Sequence, residues 1–250
     1  MKKFFKSLSL VFLLSLFSIF IVRCGKEEKP SKEEIIERFV ENSKNIKSAA
    51  FFSKIIMKED NINDIELNME ATVIAEPFNM KISTTMPVHS QKMQMYIKEE
   101  YVYIFNPVTN QWNKYHNKEL NDYVKKSLDD SNEIYDILKN NMDKISLEEE
   151  KDYYSIKITE GTSLFKDAIK KQLVGLNLED KNIFDSFPIE NLLLSYVIDK
   201  KTYLPISSYN EFDIRIEGSK KNMSIETKFE NINKIKKIKL PKEALEAIEI

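Results

Sequence analysis

The chain has 250 residues, a formal net charge of −2, 31% charged residues, four glycines and one cysteine. The charge balance speaks against a nucleic-acid binder, which presents a basic domain or stripe. So few glycines leave no phosphate-cradling loop, and a single cysteine allows neither an internal disulfide nor, without neighbouring ligands, a metal site.

The first residues carry Lys2, Lys3 and Lys6, followed by an apolar run from Ser7 to Val22. A basic start and a short apolar stretch form the pattern of a secretory signal peptide. The run falls at or below the roughly 17–25 residues of a spanning helix. Ile21-Val22-Arg23-Cys24-Gly25 then resembles a bacterial lipobox, with Arg23 standing where the motif has a small residue. The resemblance implies that Cys24 is lipid-modified and becomes the first residue of the mature protein. Residues 1–23 are therefore read as a signal peptide, 24–31 as a polar tether and 32–250 as one domain. The expected location is the cell envelope, outside the cytoplasm, anchored to membrane lipid. At about 3.5 Å per extended residue the tether reaches roughly 30 Å.

From Ser31 to Ile46, a capping box of Ser31 and Glu34 opens a segment with Ile35, Ile36, Phe39, Val40 and Ser43 at helical spacing. This predicts an amphipathic helix with one buried face. From Ile65 the period changes to two: Ile65, Leu67, Met69, Ala71 and Val73 alternate with polar residues, as do Phe78, Met80, Ile82 and Met93, Met95, Ile97. Residues 101–105, YVYIF, are apolar on both faces. With Glu76-Pro77, Met86-Pro87 and Asn106-Pro107 between the runs, this predicts an antiparallel meander. A helical block is expected from Lys118 to Ile145, a strand at Tyr153–Thr159, and a short helix at Ser163–Val174 closed by Gly175. Four strands should complete the chain: Leu192–Ile198, Ile206–Ile216, Met223–Phe229 and Ile235–Leu240.

Three longer segments carry a family resemblance. They are YVIDKKTYLPISSY (196–209), FENINKIKKIKLPKEAL (229–245) and IFNPVTNQWNKY (104–115). Together with the lipobox and the element order, they resemble the LolA, LolB and LppX/LprG group of envelope proteins, and within it an uncharacterised lipoprotein family. The resemblance implies an α+β fold: a strongly curved antiparallel sheet, an incomplete barrel, closed by helices, with lipid acyl chains bound between sheet and helices. It implies no catalytic residues and no cofactor.

A curved sheet encloses an apolar interior that helices or a ligand must fill. The candidates for lining it are Met69, Met80, Met93, Met95 and Phe105, since methionine adapts to irregular contents. Hydrolytic chemistry lacks a Gly-x-Ser-x-Gly elbow and has only His89 and His116 as imidazoles. Neither His is placed to bind metal, and Trp112 is read as structural. The expectation is a non-enzymatic lipoprotein binding a hydrophobic ligand, a lipid or lipid-linked molecule. Its alternative is an interaction, sensory or assembly module of the same fold with a filled core, whose protein partner the sequence does not name.

Overall fold

The computed structural model describes residues 29–59, 64–85, 92–116, 135–165, 189–216 and 219–249. The lipobox, Cys24 and the signal segment lie outside these residues, as do His89, Gly175, Gly218 and much of both central helical blocks.

Helix α1 spans Lys32–Lys44, and Ser31 Oγ accepts the Glu34 N–H at 3.2 Å, as the capping box requires. Its buried residues are Ile35, Ile36, Phe39, Val40 and Ser43, the stripe that the spacing predicts. Six strands follow: β1 (Ser48–Glu59), β2 (Ile65–Ile74), β3 (Asn79–Thr85), β4 (Lys92–Lys98), β5 (Tyr101–Asn106) and β6 (Gln111–His116). Next come helical residues 135–140 (α2), a 3₁₀ turn at Met142–Lys144, β7 (Ser146–Glu149), β8 (Tyr153–Ile158) and helical residues 161–165 (α3). The chain ends with β9 (Ile189–Asp199), β10 (Pro205–Ile216), β11 (Ser219–Glu230), α4 (Lys242–Leu245) and β12 (Ile248–Glu249).

All twelve strands form one curved open sheet in the order β12-β6-β5-β4-β3-β2-β1-β11-β10-β9-β8-β7. Every pairing is antiparallel except the short β12–β6 contact. The fold is therefore the α+β half-barrel expected from the sequence. Three strands lie outside the predicted set, β1, β7 and β12. The predicted strand at Ile235–Leu240 is corrected: these residues have no ladder partner and run across the sheet's outer face. Their apolar residues at 235, 238 and 240 break the period of two that a strand would need.

Side chains alternate across the sheet, so the register assigns each to a face. On the concave side of β8 and β9, Tyr154, Ile156, Ile158, Leu192, Leu194 and Ile198 pack under α1, Leu138 and Phe165 as the main core. Phe39 of α1 meets the Tyr196 ring at 5.4 Å and the Tyr135 ring edge-on at 5.7 Å. Leu192 follows Leu194 into this core by alternation, and a bulge in β9 at Asn191 brings Ile189 to the same face. Asn191 adopts φ 52° there, which Asn tolerates better than most residues. The bulge is tied down by Asn191 Nδ2 donating to Asp213 Oδ2 (2.6 Å) and the Leu192 N–H to Thr162 Oγ1 (2.7 Å). Gly161 makes the approach possible, since a Cβ there would lie 2.9 Å from the Leu192 carbonyl oxygen.

The Asp-Lys-Lys-Thr-Tyr-Leu-Pro stretch (199–205) is the β9–β10 turn. Asp199 Oδ1 accepts from the Lys201 and Thr202 N–H groups and from Thr202 Oγ1. Tyr203, at φ 54°, stacks on Tyr154 and lies under the Arg38 guanidinium. The motif that carried part of the resemblance is thus a self-capped turn pinned to α1.

Candidate functional site

The other half of the concave face is lined differently. Register places Met57 of β1 opposite Met223 of β11 and Ile65 of β2. Met69 of β2 faces Ser53 and Thr84, and Thr84 faces Met93. Met80 pairs with Val73 and Ile97, and Met95 with Ile82 and Ile104. Six of the nine methionines in the chain therefore share one face of five adjacent strands. Met93 is 51% exposed, and the other five are partly buried. Met80 and Met95 pack against a small cluster of Val73, Phe78, Ile97 and Val102.

A cleft of about 410 Å³ opens on this face where α1 turns into β1. Its floor is Ala49, Phe51, Val73 and Phe229; its wall is Ser43 and Tyr135; its mouth carries Lys44, Lys47 and Glu76. Phe51 and Phe229 meet edge-on at 5.6 Å. Burial pushes the Tyr135 hydroxyl pKa up, so it stays neutral. From Phe51 to Met57 the same face of β1 runs on through Ser53 and Ile55 for roughly 20 Å, at about 3.3 Å per residue.

The five candidate residues do not all meet. Met69, Met80, Met93 and Met95 share the concave face, whereas Phe105 is corrected to the convex one. It pairs with Trp112 in register, and their rings lie 5.3 Å apart. The two belong to a cluster with Tyr96 and fully buried Ala244, covered by Ile238, Leu240 and Ala247 of the C-terminal segment. Trp112 accordingly has a structural place. Met57 and Met223 are the lining residues that sequence reasoning missed.

Among the described residues, little else on the surface gathers chemistry. His116 Nε2 lies 3.2 Å from Glu100 Oε2, at an exposed strand end beside Tyr101. Among the described residues no group of three or more His, Cys, Asp and Glu side chains could hold a metal ion. Arg38 pairs with Glu34 and Arg215 with Glu190, both exposed. No described helix is long and apolar enough to cross a membrane.

The family of unknown function DUF6612 matches residues 31–249, nearly all of the architecture described above. The chain belongs to that family. No curated protein sequence matches it. Among solved structures, it is similar to the lipoprotein LppX of Mycobacterium tuberculosis, at 11% identity and a TM-score of 0.43, with 85% of this chain and 100% of that one covered. It is similar to LprF from Mycobacterium bovis at 11% identity and a TM-score of 0.45, covering 86% and 99%. A LolA superfamily protein from Nitrosomonas europaea is similar at 8% identity and a TM-score of 0.29, covering 82% and 94%.

Proposed function

We propose that this DUF6612 chain is a non-enzymatic envelope lipoprotein, anchored through Cys24, that sequesters a hydrophobic ligand on the concave face of its sheet. The observation that carries this reading is the methionine-lined surface of β1–β4 and β11, continuous with a cleft of about 410 Å³. That volume falls within the ~300–1,000 Å³ range of small-molecule pockets. The thioether side chain is unbranched and polarizable, so the lining can follow acyl chains of differing shape. Each methylene moved from water into it contributes about 0.8 kcal/mol, enough to drive capture without a chemical step. The ligand in this reading is a lipid or lipid-linked molecule.

Two experiments test it. Native mass spectrometry of the full-length Cys24→Ser chain, with organic extraction, should find a stoichiometric lipid-sized adduct. Met69→Gln with Met95→Gln should remove that adduct and leave the circular dichroism unchanged. A clean apo mass after incubation with total membrane lipid sinks the carrier reading and favours an interaction module. Separately, labelled palmitate should enter the wild-type chain and not Cys24→Ser; equal labelling would sink the anchor.

A further inference from the structure

The methionine-lined face is not apolar throughout. At mid-height, one row of cross-strand partners carries hydroxyls. Ser208 of β10 faces Thr227 of β11, Thr227 faces Ser53 of β1, and Ser53 faces Met69, itself opposite Thr84. In the other direction Ser208 faces Tyr196. Ser53 and Ser208 are buried, and Ser53 Oγ lies 2.9 Å from Thr227 Oγ1. The neighbouring rows on these central strands are apolar, Phe51 with Phe229 on one side and Ile55 with Ile225 on the other.

Asn210 interrupts the second of those rows. It sits between Leu194 of β9 and Ile225 of β11, one strand repeat of roughly 7 Å from Ser208. Its Oδ1 is buried and has no hydrogen-bond partner in the protein. A buried acceptor left unpaired is costly, and so rare that it calls for an explanation. A hydrocarbon occupant would leave it unpaired. A single-headed amphiphile with its head at the cleft mouth would do the same, because only methylenes would reach this depth.

We infer that the occupant carries a hydrogen-bond donor, a hydroxyl or an amide N–H, between two apolar segments, and that Asn210 receives this donor beside the Ser53–Thr227 pair. The inference rests on the ligand-binding reading above and narrows its substrate class to amphiphiles with an internal polar linkage. The polar row fixes the depth at which the linkage sits. Methionines and the Phe51–Phe229 pair take the chains on either side.

Methyl stearate and methyl 12-hydroxystearate are suitable probes, since they differ by one mid-chain hydroxyl. Each is titrated into the full-length Cys24→Ser chain against a displaceable fluorophore. The hydroxylated ester should bind about tenfold tighter, the scale of one hydrogen bond made to a buried acceptor. Asn210→Leu should abolish that preference, with methyl stearate binding at least as tightly as to wild type because no buried acceptor is left unpaired. The same variant should melt no lower than wild type, because it removes an unpaired buried polar group. If Asn210→Leu does not fold, Ser53→Ala with Thr227→Val serves instead, with a several-fold loss of preference expected. Equal affinity for the two esters, or a preference that survives both variants, overturns the inference while the ligand-binding reading stands. Failure of both esters to bind overturns that reading and this inference with it.

Discussion

One sheet carries two kinds of interior. Over β8 and β9 the concave face is closed by α1, α2 and α3, and the buried members of that core are aliphatic and aromatic with no methionine among them. Over β1–β4 and β11 the same face carries six methionines, none fully buried, beside a cleft. Branched side chains with few rotamers give a fixed core, whereas methionine gives an adaptable one. The difference teaches where stability and, in the proposed reading, recognition reside: the first half supplies a fixed frame, and the second a surface whose side chains can repack.

The sharpest way to break this comparison is to attack the frame. Phe39→Ala should cost about 3–5 kcal/mol, the usual loss for a fully buried aromatic. Urea unfolding measures it, and a cost near that of a surface substitution would mean that α1 does not close the core. Next is the bulge network. Lys220 Nζ lies 2.8 Å from Asp213 Oδ2, and together with Asn191 and Asn222 it lowers the buried carboxyl to about 2. Because this folded-state pKa is depressed below its ordinary value, the stabilisation is fully present above about pH 4. It is lost as pH falls toward 2, a difference of roughly 2 kcal/mol. Acid melts of wild type and Asp213→Asn should therefore converge near pH 2; a constant gap would break the assignment. Smaller is the cap: Ser31→Ala should cost about 1 kcal/mol in thermal melts by leaving the Glu34 N–H without its acceptor. Smallest is the methionine face, where Met80→Leu and Met95→Leu, volume-conserving swaps at partly buried sites, should each cost well below the roughly 1.5 kcal/mol ceiling of such changes. Those swaps should still narrow the range of chain shapes accepted in lipid competition. A large stability loss there would mean that the second half is also a fixed core.

Much of the frame is legible in the sequence. The Ser31–Glu34 cap and five apolar positions at helical spacing mark α1 and its buried face. The period-two runs of Ile65, Leu67, Met69 and of Met93, Met95, Ile97 identify strands and the face they share. What was missed has physical causes. In β1 the stretch Ala49 to Phe52 is apolar at every position, so it shows no alternation, and Met57 was lost with it. In β5 both faces are apolar because Trp112 and the C-terminal segment cover the outer one. The parity of Phe105 was therefore undecidable from YVYIF, and only the pairing with Trp112 settles it. The polar row on the concave face was invisible for another reason: Ser53, Ser208 and Thr227 come from three strands and become neighbours only through register.

The seam between β1 and β11 has a consequence for how the chain is made. It pairs residue 51 with residue 229, so the sheet's centre is joined by the two ends of the domain. The meander from β1 to β6 can assemble locally as it emerges, but β1 then stays an open edge with aromatic side chains, Phe51 and Phe52, on both of its faces. Such an edge is a template for pairing with other chains, and contacts so distant in sequence form slowly. The interval between the arrival of β1 and that of β11 is thus the time of greatest exposure to misassembly. A factor that shields an unpaired strand edge would act in that interval.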